Sequence, residues 1–308
     1  MSFDNAYESL LGDNDETHWA YGTGFADPLS DVDRAVPAGV APADLARYCL
    51  MLGDDALVAA QRLAEWCSWA PELEEDVALA NIALDLLGQA RLLYARAAEV
   101  DPSVRPSIAP AHVPDEDALA YFRDELDFRN VRLAEIDTGP GPAGDFAMTI
   151  GRLLVFASWR LALFVRLADS VDPVLAAIAA KGVKELTYHR DHAAQWTVRL
   201  GDGTAESARR MRAGLAAIWP LVPELCRPHP VELRLAECGA GVDPSAVVTE
   251  LDGVLDQVFA AAGVARPDVP AMAGVSGRTG RDGVHTTAFG YLLAELQHIA
   301  RSHPEAVW

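Results

Sequence analysis

Pro71-Glu72-Leu73-Glu74-Glu75-Asp76-Val77-Ala78-Leu79-Ala80-Asn81-Ile82-Ala83-Leu84-Asp85-Leu86-Leu87-Gly88-Gln89-Ala90-Arg91 decides the fold class of this chain. It opens on a proline, which loses no hydrogen bond at the first position of a helix. Glu72, Glu74, Glu75 and Asp76 follow in the first turns, where carboxylates complement the positive end of the helix dipole. Alanine, leucine and isoleucine then continue with no proline, and the pattern predicts one long helix over 71–99. A second segment, Lys184-Glu185-Leu186-Thr187-Tyr188-His189, belongs to another long helix. That helix opens at Asp172-Pro173, runs to about Leu200 and stops at Gly201-Asp202-Gly203.

Two more long helices complete a set of four. One spans about 44–67, with Leu45, Tyr48, Leu52, Ala56, Leu63 and Trp66 on one face of a 3.6-residue wheel. Leu57 and Val58 fall on other faces, which predicts a second covered surface, here expected against a partner. The link Ser68-Trp69-Ala70 is short, so this helix and the 71–99 helix are expected to be antiparallel neighbours. The other spans about 145–168. A moderate helix is expected over 115–136, and shorter ones over 205–221, 244–262 and 286–302. Residues 101–114 hold prolines at regular intervals and read as a loop. No segment alternates as a strand does, so the class is all-α, one domain over 42–308. Residues 1–41, rich in Asp, Gly and Pro, read as an irregular N-terminal extension, either pinned by Trp19, Tyr21 and Phe25 onto a partner or the domain itself or left as a mobile tail.

The 308 residues carry 45 acids against 25 Lys+Arg, a net charge of −20. Such a surface repels nucleic acid and anionic membranes, and neither is expected as a partner. The most apolar stretch, Ala147 to Val165, is interrupted by Arg152 and Arg160. Each would cost about 2.5–3.5 kcal/mol at a bilayer centre, so the stretch reads as a buried core helix. Met1-Ser2-Phe3-Asp4-Asn5 lacks the basic start of a signal peptide. Cys49, Cys67, Cys226 and Cys238 form no CxxC pattern and read as buried free thiols of a cytoplasmic protein.

Four long helices with inward carboxylates invite a test for a di-iron site. Such a site takes one Glu from each of two helices and a Glu-x-x-His from each of the other two. The 71–99 helix offers Asp85-Leu86-Leu87-Gly88, with Gly in the His position and no histidine anywhere along it. The next candidate is Glu185-Leu186-Thr187-Tyr188, with Tyr in the His position, and His189 one residue on, in phase with the apolar face. The 145–168 helix has no acid from Phe146 to Ala168 and offers Arg152, Arg160 and Arg166 instead. The first helix offers Glu65 and Asp55, flanked by Arg62. A cation among the ligands opposes iron binding. The reading is therefore no metal and no catalytic residue. Glu65, Asp85, Glu185 and His189 are left as a degenerate ligand seam, in which Asp85, Glu185, His189 and an arginine of the 145–168 helix satisfy one another.

One true Glu-x-x-His, Glu295-Leu296-Gln297-His298, lies at the edge of its helix's apolar face and reads as a surface pair. Trp66, Trp159 and Trp196 read as packing residues. The glycine-rich stretch from Gly274 to Gly283 reads as a mobile loop, with contact of its two arginines to a phosphate or an acidic partner as the alternative. No nucleophile elbow, P-loop or Rossmann fingerprint is present.

The run Leu63-Ala64-Glu65-Trp66-Cys67, the segment Ala70-Pro71-Glu72-Leu73-Glu74 and the stretch Leu79 to Arg91 resemble the C-subunit family of the bacterial phenylacetyl-CoA epoxidase. That enzyme is also called ring 1,2-phenylacetyl-CoA monooxygenase. Thr149-Ile150-x-Arg152, Trp159, Ala162-Leu163-Phe164, Asp172-Pro173, Lys184-Glu185-x-x-Tyr188-His189, Gly283-x-His285-Thr286 and Leu293-Ala294-Glu295-x-Gln297 extend the likeness over about residues 42–308. The resemblance implies a ferritin-like helical bundle with additional C-terminal helices. It implies a non-catalytic structural subunit paired with a homologous catalytic di-iron subunit. A further small subunit and a reductase using NADPH complete the complex, which epoxidises the ring of phenylacetyl-CoA in aerobic phenylacetate catabolism. The acid-free 145–168 helix and His298, where the family leads one to expect Tyr, are departures. The alternatives are an active di-iron oxygenase subunit and a helical binding protein outside any enzyme complex.

Overall fold

Aspartate opens two of the main helices where the sequence puts them. Asp145 accepts a hydrogen bond from the Met148 amide at 2.9 Å, and Asp172 accepts one from the Leu175 amide at 2.8 Å. Each satisfies a donor that a helix N-terminus otherwise leaves bare. The computed structural model describes residues 29, 31–142 and 144–306. The extension expected over 1–41, with Trp19, Tyr21 and Phe25, lies largely outside the described residues. Contacts divide the chain into Met1–Asp31 and Val32–Trp308, and every helix named below belongs to the second unit.

Among the described residues there are ten α-helices and no strand: α1 (Pro42–Ala64), α2 (Leu73–Val100), α3 (Asp115–Tyr121), α4 (Arg132–Glu135), α5 (Phe146–Leu167), α6 (Pro173–Gly201), α7 (Ala205–Ile218), α8 (Pro230–Glu237), α9 (Val248–Ala262) and α10 (Thr287–Ser302). α1 packs along α2, α5 along α6, and α2 also meets α6. These four form a ferritin-like bundle, and α7 and α9 cover α5 and α6. The link from α1 to α2 is held tight by the Ser68 amide, which donates to Asp76 at 2.8 Å, with Ser68 itself in the left-handed region at φ 67°. The turn uses up Glu65 to Glu72, so α1 ends earlier and α2 begins later than the sequence pattern suggests.

Three expectations change. Leu57 and Val58 do not face outward: both are buried, because α4, α8 and α10 cover α1 on the sides that α2 leaves free. The helix expected over 115–136 is broken into α3, a 3-10 turn at Glu125–Asp127 and α4. The cause is tertiary. Asp54 and Asp55 on α1 accept the Arg129 and Val131 amides at 2.7 and 2.8 Å, which draws those amides out of any helix. The stretch Gly274 to Gly283 is not a free loop. Its Arg281 is buried and meets Asp55 at 2.8 Å, and a side chain at Gly280 would collide with the Asn130 carbonyl.

α8 has no counterpart in the sequence reading. His229 caps it, accepting from the Val231 amide at 3.2 Å, while Glu232 reaches back to the His229 amide at 2.7 Å. The four cysteines are free, but only Cys49 is buried; Cys67 is exposed, just beyond the end of α1. Among the described residues two helices, α2 and α5, are long and apolar enough to cross a membrane. α5 is 89% buried inside the bundle, as expected of a core helix. Trp66 and Trp159 are core residues, and the half-buried Trp196 stacks edge-on against Phe146 at 5.1 Å.

Candidate functional site

The polar interior lies where α2, α5 and α6 meet. Helical phase puts Asp85 and Gln89 of α2 one turn apart, facing Glu185 and His189, one turn apart on α6. His189 Nε2 lies 3.0 Å from Asp85 Oδ2. Gln89 donates through Nε2 to Glu185 Oε2 at 2.9 Å. From α5, Arg160 donates through Nε to Gln89 Oε1 at 3.0 Å and through Nη1 to the Leu52 carbonyl of α1 at 3.1 Å. Its guanidinium also stands 4.4 Å from the centre of the Phe164 ring. Lys181 reaches Glu185 from the solvent side at 3.4 Å.

Asp85 therefore meets His189 directly, whereas Glu185 reaches Arg160 only through Gln89. Sequence reasoning missed Gln89. Its signal was present: it follows Asp85 by one helical turn and shares its inward face. Glu65 is not part of this group. It pairs with Arg62 at 2.6 Å and lines a separate cleft of about 450 Å³ with Trp69, Asp137, Tyr291 and Glu295. Burial pushes the Glu65 carboxyl above its usual range, against the pull of Arg62. Asp55 is not part of the seam either, being engaged by Arg281 and the Val131 amide. Arg152 donates to the Ala134 carbonyl at 2.8 Å, and Arg166 pairs with the exposed Glu250 at 2.7 Å.

The electrostatics follow from burial. Arg160 is fully buried with no carboxylate partner, and its guanidinium is pushed down to about 10 by loss of solvent. Burial likewise lowers His189 below the ordinary imidazole range, with Asp85 opposing the shift. Toward the start of α2, His192 and Glu75 stand 3.1 Å apart but are poorly aligned for a hydrogen bond. Among the described residues, His189 Nδ1, Arg160 Nη2, Glu75 Oε2 and His192 Nε2 find no hydrogen-bond partner.

This donor set does not fit a pair of irons. A fixed cation, Arg160, is hydrogen-bonded into the middle of the group, and Gly88 stands where α2 would need a histidine. Among the described residues no cluster of three or more His, Cys, Asp or Glu side chains has the geometry to hold a metal ion. Glu295 and His298 are both exposed and face solvent on α10. Gln297 between them is buried and donates to the Ala120 and Arg123 carbonyls at 3.1 and 2.9 Å, tying α10 to α3.

Comparison with known proteins agrees with this architecture. A family model described as phenylacetic acid catabolic protein matches residues 33–308. The C subunit of the 1,2-phenylacetyl-CoA epoxidase of Escherichia coli (strain K12) is 42% identical over 265 residues, which cover 86% of this chain and 99% of that one. Matched across all of its helices, the chain belongs to the phenylacetic acid catabolic protein family.

Proposed function

We propose that this chain is the non-catalytic structural subunit of a multicomponent di-iron epoxidase acting on the ring of phenylacetyl-CoA in aerobic phenylacetate catabolism. The chemistry belongs to a homologous companion subunit that holds the irons, with electrons supplied by an NADPH-dependent reductase and a further small subunit in the complex. One observation carries the reading: the buried Arg160 guanidinium is bonded to Gln89 among the inward polar residues of α2, α5 and α6. A positive charge held there by neutral partners repels metal ions, and no acid on α5 offsets it. The likeness to an epoxidase C subunit along 99% of that protein supports the assignment to the complex. The free cysteines support a reducing, cytoplasmic location.

The test is metal analysis of the purified chain beside the companion subunit, followed by turnover of each alone and together. We expect substoichiometric iron in this chain and turnover only in the presence of the companion. Two irons per chain with a carboxylate-bridged spectroscopic signature would establish an active di-iron subunit instead.

A further inference from the structure

α2 keeps a face that the described residues leave exposed. Leu73, Val77, Leu84 and Leu87 recur at helical spacing and are 74%, 53%, 63% and 43% exposed. From Leu73 to Gly88 the stripe runs about 22 Å along the helix. Tyr188 of α6, next to the His189 that meets Asp85, is also 52% exposed. Single exposed leucines are ordinary on a protein surface, whereas a row of them along one helix marks a contact.

Gly88 supplies an independent observation. Glycine in the interior of a helix is destabilising relative to alanine, so it calls for a reason. Nothing among the described residues gives one: a Cβ placed at Gly88 would find no atom within 4 Å. It sits one turn beyond Leu84 and beside Leu87, as a notch in the apolar stripe. A notch between leucines lets another helix approach the α2 backbone closely.

We propose that the outer face of α2, notched at Gly88, is the surface on which a helix of the companion epoxidase subunit packs; this rests on the structural-subunit reading above. The charge around the stripe specifies the occupant. Glu72, Glu74 and Asp76 flank its Leu73 end, so the companion helix is apolar along its centre and basic where it meets that end. A second copy of this chain would instead bring another net charge of −20 against the same acids.

The experiment measures association of the full chain with its purified companion subunit by calorimetry and sedimentation, and thermal unfolding of the chain alone. Leu84→Glu and Gly88→Leu should each weaken association by about 100-fold, the loss of well-packed central contacts. Both should leave the midpoint of the isolated chain within about 2 °C of wild type, as surface changes do. Gly88→Ala should raise that midpoint by about 2 °C, since the chain itself makes no use of the glycine. Leu84→Ser repeats the association test without adding a charge. Wild-type affinity in all three association variants would overturn the face while leaving the subunit reading intact. A companion that fails to bind the wild-type chain would overturn that reading and this proposal with it. A doubled mass of the chain alone, abolished by Leu84→Glu, would assign the face to a second copy and overturn the proposed occupant.

Discussion

Two polar interiors border α1, and they are built by opposite rules. In one, each carboxylate has a cation or a set of donors. Asp54 meets Arg123 at 2.5 Å, Tyr94 at 2.6 Å and the Arg129 amide; Asp55 meets Arg281 at 2.8 Å and the Val131 amide. Glu135 meets His285 and Asn130 at 2.7 Å each, and the Thr286 amide. In the other, between α2, α5 and α6, the one fully buried cation, Arg160, has only neutral partners, and several ring and guanidinium nitrogens have none. The first is an ion-pair network that ties α1 to the broken segment 115–136 and to the C-terminal stretch. The second joins Asp85, Gln89, Glu185, His189 and Arg160 across three helices and leaves its cation without a carboxylate partner. The difference teaches that the charged groups this fold depends on are not those that look like ligands in the sequence.

Removing one member of the first network is expected to have the largest effect. Arg281→Met strands Asp55 in a fully buried position, and a broken buried pair costs about 3–5 kcal/mol. Asp55 also holds Arg281 in its charged form, raising it well above the ordinary guanidinium range against the cost of burial. Urea unfolding of the variant measures the loss. A loss below about 1 kcal/mol would erase the contrast between the two interiors.

The seam should respond less. From sequence alone, Glu185→Ala carries the cost of a broken buried ion pair. The structure lowers that expectation to about 1–2 kcal/mol, the cost of one hydrogen bond and its stranded partner. Its partners are the neutral Gln89 and Lys181, an exposed lysine whose pairing is screened by solvent. Arg160→Met is expected to fall in the same range. It strands Gln89 Oε1 and the Leu52 carbonyl but relieves a desolvated charge. A double-mutant cycle over Arg160 and Glu185 sharpens the point: the coupling should be small, because Gln89 stands between them.

The bundle was legible where local chemistry decides. Asp145, Asp172 and Pro173 mark helix starts through rules that need no partner, whereas Pro71 stands in the turn before α2; His189 falls inward by phase alone. What stayed hidden depends on atoms far away in the chain. The break after Tyr121 exists because Asp54 and Asp55, 75 and 76 positions earlier, take the amides of Arg129 and Val131. The stretch Gly274 to Gly283 carries every local sign of a flexible loop, yet Arg281 is bonded to Asp55, 226 positions away. Leu57 and Val58 were apolar as read, but a helical wheel cannot say whether the chain's own later helices or another protein will cover them. α8 does carry a local start signal, Pro230 at its first helical position, which the sequence reading did not use.

Acid should act on the seam before it acts on the ion-pair network. Burial lowers both His189 and His192 below the ordinary value of 6.5, so the folded chain keeps them neutral where the unfolded chain takes up protons. The unfolded state then binds more protons, and stability rises with pH. The contribution is present in full above about pH 6.5 and is lost as pH falls through that value toward the lowered folded ones. Asp85 and Glu75, facing the two rings, moderate the loss by favouring the protonated forms. Urea midpoints measured between pH 7.5 and about 5 should fall more steeply for wild type than for a His189→Gln/His192→Gln double variant. Parallel profiles would mean that the acid sensitivity resides elsewhere.

The smallest effect is expected at the only Glu-x-x-His of the chain. Glu295 and His298 look more like metal ligands in sequence than any seam residue does, yet both side chains are exposed on α10. The inward member of that tetrad is Gln297, whose amide holds the Ala120 and Arg123 carbonyls at the end of α3. Exposed substitutions away from such contacts change stability by less than about 0.5 kcal/mol. Glu295→Ala/His298→Ala should therefore unfold with wild-type midpoint and slope. Gln297→Leu should lose about 1–3 kcal/mol, because it strands two buried carbonyls. If the ranking were reversed, the motif would carry a function that its exposure hides, and the contrast between ligand-like residues and fold-bearing ones would fail at the place where the sequence states it most plainly.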